Sequence, residues 1–294
     1  MLNSILSIIN TMLMYSAPLI FGAMGGVISE SSGVVNVGIE GMMTFGAFVG
    51  AAVGFKTQNP WLGLLAGGIA GAILALFHAV ASVTFKADQT ISGMALNFIG
   101  PGLSMFFCRL LFNDKTTTNR VSNKLPKVFD FIDITVVIAL AVTILLWFIL
   151  YKTKWGLRIR SVGEHPAAAD TLGINVTKVR YVSVVISGIL AGVGGAMTLA
   201  VVSQFTPTAI SGQGFIALAA VIFGKWTPQG AYGACLLFAF AQALAVTFGG
   251  GRIAVPSEIL NMLPYILTII VLILFVGKSM APSANGKPYK KGTR

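Results

Sequence analysis

From Asp133 to Tyr151 the chain reads DITVVIALAVTILLWFILY, nineteen residues whose only charge is the first. As an α-helix this stretch is about 28 Å long, which matches the hydrocarbon thickness of a bilayer. It offers no polar face to water, so the natural solvent for it is lipid. Seven further runs meet the same requirement, near 5–28, 34–54, 61–84, 90–111, 181–203, 229–248 and 257–276. A ninth stretch, GFIALAAVIFG from Gly214 to Gly224, is apolar but too short to cross straight. It predicts a short tilted or re-entrant helix, a form tolerated at membrane depth only where protein surrounds it.

Composition agrees with this reading. Apolar residues make up 55% of the chain and charged residues only 10%, with 34 glycines besides. An ordinary soluble domain carries roughly 25% charged residues. The fold class expected is therefore all-α, a polytopic transmembrane bundle of about 8–10 spans with one short or re-entrant helix. A formal net charge of +11 raises nucleic-acid binding as a class. The Lys and Arg residues, however, fall between the apolar runs and in the tail from Lys278 to Arg294, not in a basic stripe among aromatics. That placement orients a membrane protein and excludes nucleic acid as the partner. Cys108 and Cys235 lie in or beside apolar runs, without metal or disulfide spacing, and read as small buried hydrophobes. The first basic residue is Lys56, so the first apolar run is expected to stay as a span and not be cleaved as a signal peptide.

Charge also predicts the sidedness. The segment 152–180 carries Lys152, Lys154, Arg158, Arg160, Lys178 and Arg180, and the tail adds five more basic residues. Both are expected to be cytoplasmic. That requires an even number of crossings between them, which makes 214–224 one of the crossings. The outcome is nine crossings with the N-terminus outside and the C-terminus inside. The chain then divides into a membrane domain, 1–277, with the cytoplasmic segment 152–180 inside it, and a basic cytoplasmic tail, 278–294. Glycines four apart at Gly22 and Gly26, Gly46 and Gly50, Gly67 and Gly71, and Gly188 and Gly192 predict flat helix faces that pack closely within the bundle.

Enzyme signatures are missing. Gly277-Lys278-Ser279 imitates the end of a phosphate-binding loop, but Leu272 stands where that loop needs glycine. No cofactor or metal is expected on this chain, and any ATP must be hydrolysed elsewhere. The polar residues at membrane depth are more informative. Asn36 and Glu40 lie four apart and share a helix face. An acid deep in lipid costs on the order of 3 kcal/mol, so it must face the bundle interior or an aqueous path. Glu40 either lines a solute route with Asn36 or fixes a neighbouring backbone, and Gly38 and Gly41 would let the helix break beside it. Asn97, Gln204 and Gln242 are the other intramembrane polar groups, and Asn97 joins Asn36 and Glu40 as a pathway candidate. His78, near a span end, predicts a satisfied core or interfacial group.

Three stretches together resemble a known family. They are Phe21–Met43 (FGAMGGVISESSGVVNVGIEGMM), Trp155–Ile174 (WGLRIRSVGEHPAAADTLGI) and Gly214–Gly230 (GFIALAAVIFGKWTPQG). Their order and spacing resemble the ABC importer permeases that serve branched-chain amino acids, ribose and nucleosides, and the first is most similar to the nucleoside branch. The resemblance implies a multi-pass subunit in the plasma membrane of a bacterium. It implies a second permease subunit, a cytoplasmic ABC ATPase and an extracellular solute-binding lipoprotein as partners, with a small-molecule solute carried through. It further implies that 155–174 docks on the ATPase, with Arg158, Arg160, Glu164, Ala168, Asp170 and Gly173 as coupling residues. Here the sequence departs from the family: Ala167 stands where the coupling motif has Glu, with Glu164 one helical turn earlier. Phe112 to Asp130 would be the outer loop toward the binding protein. Ribose and branched-chain amino acids are the alternative solutes. An ion-coupled secondary transporter with Glu40 as the proton or sodium site is the alternative class.

Overall fold

The computed structural model describes residues 2–121, 125–129, 132–249, 262, 266, 269, 270, 273 and 281–291. Among the described residues, ten continuous α-helices run in chain order: α1 Leu2–Ser31, α2 Ile39–Thr57, α3 Pro60–Ala79, α4 Gln89–Leu111, α5 Ile134–Lys152, α6 Lys154–Glu164, α7 Pro166–Thr171, α8 Val176–Val202, α9 Gln213–Phe223 and α10 Pro228–Gly249. A π-helical turn, Val80–Thr84, prolongs α3, and two short strands, β1 Lys127–Phe129 and β2 Ile132–Asp133, pair antiparallel before α5. The architecture is the expected helical bundle.

Among the described residues, six helices are long and apolar enough to cross a membrane: α1, α3 with its π-turn, α4, α5, α8 and α10. The predicted run 34–54 is occupied by α2, which starts only at Ile39. The predicted 214–224 helix is α9, eleven residues long. The predicted 257–276 span lies mostly outside the described residues.

Local chemistry sets the ends. Asn59 caps α3 by accepting from Trp61 N and Leu62 N, with Pro60 in the first helical position. Asp88 caps α4 through Ile91 N, and Asn175 caps α8 through Lys178 N. Gly173, at φ +80°, ends α7, and Ile174 N bonds back to Ala169 O.

The glycine faces are used inside the chain. A β-carbon on Gly46 would stand 2.4 Å from Gly192 O, and one on Gly71 2.1 Å from Gly188 O. Helices α2, α3 and α8 therefore meet backbone to backbone. On the other side of α2, Gly22 and Gly26 of α1 admit Ala217 and Val221 of α9. The outer faces are apolar: Leu65, Ile69, Ile73 and Phe77 of α3 form an exposed stripe at helical spacing. Such a stripe suits lipid.

Candidate functional site

The chain turns back at the end of α1. Gly33 has φ +85°, and Ser29 Oγ donates to Val34 O at 2.7 Å to close the turn. Residues 34–36 then run without helix or strand, Val34 and Asn36 fully buried and Val35 partly so, and α2 begins three residues later. Non-helical backbone inside a bundle must find its hydrogen bonds elsewhere. Gln89 Oε1 accepts from Val35 N at 2.7 Å. His78 Nε2 lies 2.9 Å from Val35 O, and a carbonyl can only accept, so the ring donates there. Its Nδ1 then accepts from Ser92 Oγ at 3.0 Å. Asn97 spans the next gap, accepting from Gly41 N at 2.9 Å and donating to Val37 O at 3.0 Å. Asn36, fully buried, donates to Ser187 Oγ at 2.9 Å, while its Oδ1 has no partner.

Glu40 joins this break to a second one. After α8 the chain is irregular from Ser203 to Gly212, and then α9 starts. Gly212 N donates to Glu40 Oε1 at 2.7 Å and Gly214 N to Oε2 at 2.6 Å. Glu40 sits in the first turn of α2, and its carboxylate closes the first turn of α9. Two helix starts, each with a positive dipole end, thus share one carboxylate. A β-carbon on Gly41 would stand 2.1 Å from Leu96 O, and one on Gly100 2.3 Å from Gly41 O. Leu96–Gly100 is the central part of α4, so the joint lies at about half the depth of the bundle.

The structure therefore brings Asn36, Glu40 and Asn97 together around the 34–41 break. Two of them, Glu40 and Asn97, hold backbone groups. Both Glu40 oxygens receive N–H donors, an arrangement that clamps an anion and lacks the oxygen ligands a sodium ion takes. Gln204, in the irregular stretch after α8, and Gln242, in α10, lie half-buried.

The coupling candidates cluster at the end of the bundle where α1 stops. Arg158, Glu164, Ala168 and Gly173 are exposed, and Arg160 lies over the Tyr151 ring at 4.8 Å. Trp155, Arg158, Leu172, Gly173, Asn175 and Lys178 line a cleft of about 280 Å³. A β-carbon on Gly163 would stand 2.2 Å from Ser31 O, so α6 lies directly on the end of α1.

Residues 281–291 cover the same end. Ala284 N donates to Gly163 O at 2.9 Å, and Ser283 Oγ to Glu164 Oε2 at 2.8 Å. Asn285 Nδ2 donates to Glu30 Oε2 at 3.0 Å, and Trp226 Nε1 donates to the same oxygen. Tyr289 hydrogen-bonds Asp170, and burial first, then this neighbour, push its phenol above the usual range. Arg180 departs from the sequence expectation of a solvated orienting charge. It is only 1% exposed and donates to Lys287 O at 3.0 Å, because α8 begins before it and the tail lies over it.

Sequence reasoning missed Glu30, Trp226, Asn285, Gln89 and Ser187. Glu30 carried a signal, being an acid at the end of an apolar run. The others act through partners far along the chain, which no local pattern reports.

Comparison with known proteins gives a consistent result. Residues 8–272 match the family described as branched-chain amino acid transport system / permease component. The guanosine ABC transporter permease protein NupQ of Bacillus subtilis (strain 168) is 47% identical, covering 98% of this chain and 97% of that protein. The nucleoside ABC transporter permease protein NupC of Lactococcus lactis subsp. cremoris (strain MG1363) is 44% identical, with 98% of each chain covered. The guanosine ABC transporter permease protein NupP, also of B. subtilis, is 26% identical over 94% of this chain and 82% of its own.

Proposed function

The chain belongs to the branched-chain amino acid transport system / permease component family, and from that premise we propose that it forms half of the nucleoside pathway of an ATP-driven importer in a bacterial plasma membrane. The observation that carries the solute is the near full-length identity of 47% to a guanosine permease. The other half is a second, related permease. In support, two guanosine permease proteins of one organism, NupQ and NupP, are both similar to this chain, at 47% and 26%.

In this reading, helices α6 and α7 form the cytoplasmic coupling region, and the cleft beside Arg158 receives a segment of an ABC ATPase. Hydrolysis belongs to that separate subunit. The tail 281–291 is then cytoplasmic as well, since it bonds to α6. At the opposite end, Val121 N donates to Ser203 O at 2.9 Å and Thr118 N to Phe205 O at 3.2 Å. That end faces the extracellular solute-binding lipoprotein. Closure of the ATPase pair moves α6, and α6 bears on α1. Helix α1 bears on α9 at Gly22 and Gly26, and α9 is tied to α2 by Glu40. The permease pair alternates between inward-open and outward-open states through such rigid-body shifts.

The test is uptake by cells from which this chain has been deleted. Labelled guanosine uptake should fall to background and return with the plasmid-borne gene. Normal guanosine uptake in the deletion, with labelled ribose or leucine lost instead, would replace the solute.

A further inference from the structure

The stretch from Ser203 to Gly212 is tied at its start to residues 118–121, and from Thr206 on it makes short turns: Ala209 N to Thr206 O at 3.0 Å, Ser211 N to Thr208 O at 3.4 Å and Gln213 N to Ile210 O at 2.7 Å. It ends against Glu40, at half depth of the bundle. Pro207, Thr208, Ser211 and, one turn into α9, Phe215 are exposed on the subunit surface, Phe215 by 43%. Irregular backbone is not found facing lipid in the hydrocarbon region and occurs there only against protein or around a water-filled cavity. The exposed side of 207–215 therefore cannot be a lipid face like the Leu65, Ile69, Ile73 and Phe77 stripe of α3. In secondary transporters, broken segments that start half-helices at the midplane are where solute is held, and the same exposed backbone and helix start are present here.

We propose that Thr208 and Phe215 form a solute-contacting station on the wall of the pathway, Phe215 offering its ring face to a planar base and Thr208 a hydroxyl to the sugar. This rests on the nucleoside reading above and adds to it the surface and the residues. Aromatic rings stack on bases irrespective of sequence because every base has a π-face. Glu40 keeps the station in place by fixing Gly212, which caps α9, and Gly214 in its first turn. Phe215 directly follows the two clamped amides, and Thr208 lies in the irregular stretch that leads into them.

The experiment uses the whole importer in membrane vesicles. Thr208→Cys, Ser211→Cys and Phe215→Cys are each treated with a charged, membrane-impermeant methanethiosulfonate, with Leu65→Cys as the lipid-facing control. The native Cys108 and Cys235 are buried and supply the background. Labelling above the control at 208, 211 and 215, slowed about tenfold by saturating guanosine at 208 and 215, is the expected result. Labelling no greater than at Leu65→Cys overturns the placement, because the face would then be sealed against lipid or the partner permease. If wild-type vesicles import guanosine but guanosine does not slow labelling, Phe215 is not a contact and the ligand role falls. If wild-type vesicles import ribose or leucine and only that solute protects, the location stands and the nucleoside reading falls. In transport kinetics, Phe215→Ala should raise KM for guanosine roughly tenfold while Phe215→Tyr keeps it near wild type. Equal losses in both variants overturn the stacking role.

Discussion

A carboxylate at half depth in a bilayer needs a reason to be there, and Glu40 has two N–H donors and two helix starts around it. The same negative charge that would cost on the order of 3 kcal/mol in lipid is here met by the dipole ends of α2 and α9. Glu40→Gln keeps the shape but offers one acceptor oxygen where two amides now donate. One buried N–H, at Gly212 or Gly214, is left facing an NH₂ group, at a cost of about 1–3 kcal/mol. The expected outcome is a detergent-solubilised importer whose melting temperature falls by several degrees, with guanosine uptake reduced in proportion or further. An unchanged melting temperature would show that the clamp contributes nothing. Asn97→Ala should behave alike, since it frees Gly41 N and Val37 O together. Asn36 differs from both. Its side chain holds Ser187 with one end and leaves Oδ1 without a partner, so Asn36→Asp should disturb the fold more than Asn36→Ala. Comparing the melting temperatures of the two variants checks it.

At the scale of elements, the contact between α6 and the tail is the part most open to intervention. Glu164 spends one carboxylate oxygen on Ser283, so its role is to hold the tail against α6. Arg158 is exposed beside the cleft and has no such role. Arg158→Glu should therefore leave assembly intact while guanosine uptake falls at least about tenfold and ATP hydrolysis continues. Uptake at the wild-type level would remove Arg158 from the coupling surface. Deleting residues 283–294 removes the Ala284, Ser283 and Asn285 bonds at once and uncovers Glu30 and Arg180. That variant should melt lower by an amount that Glu164→Ala only partly reproduces. The α2, α3 and α8 contact is stricter. Gly46→Val places two methyl groups where Gly192 already stands, a strain of about 3 kcal/mol or more, and should abolish accumulation of the protein in the membrane on immunoblots.

Taken as one molecule, the chain shows which features a sequence can announce. Apolar runs such as 133–151 were legible because length and composition suffice to name a span. The glycine spacings gave the close packing of α2, α3 and α8 for the same reason, since a missing side chain is visible in the letters. The start of α2 was not legible. Val34, Val35 and Val37 look like span residues, yet they form the buried break, held by Gln89, His78 and Asn97 from other helices. Glu40 and Asn36 could be picked out as buried polar groups, but the partner of Glu40 lies 172 residues away, beyond any local pattern. The docking of a short polar tail on α6 left no trace in hydropathy at all.

In the proposed function this chain, with a sister permease, moves nucleosides on energy delivered by a separate ATPase. The direct measurement is labelled guanosine entry into proteoliposomes holding the purified importer, with its binding protein outside and ATP inside. Uptake should require lumenal ATP and persist when ionophores collapse every ion gradient. Uptake that proceeds without ATP and stops on adding an ionophore would make the protein an ion-coupled carrier and not part of an ATP-driven importer.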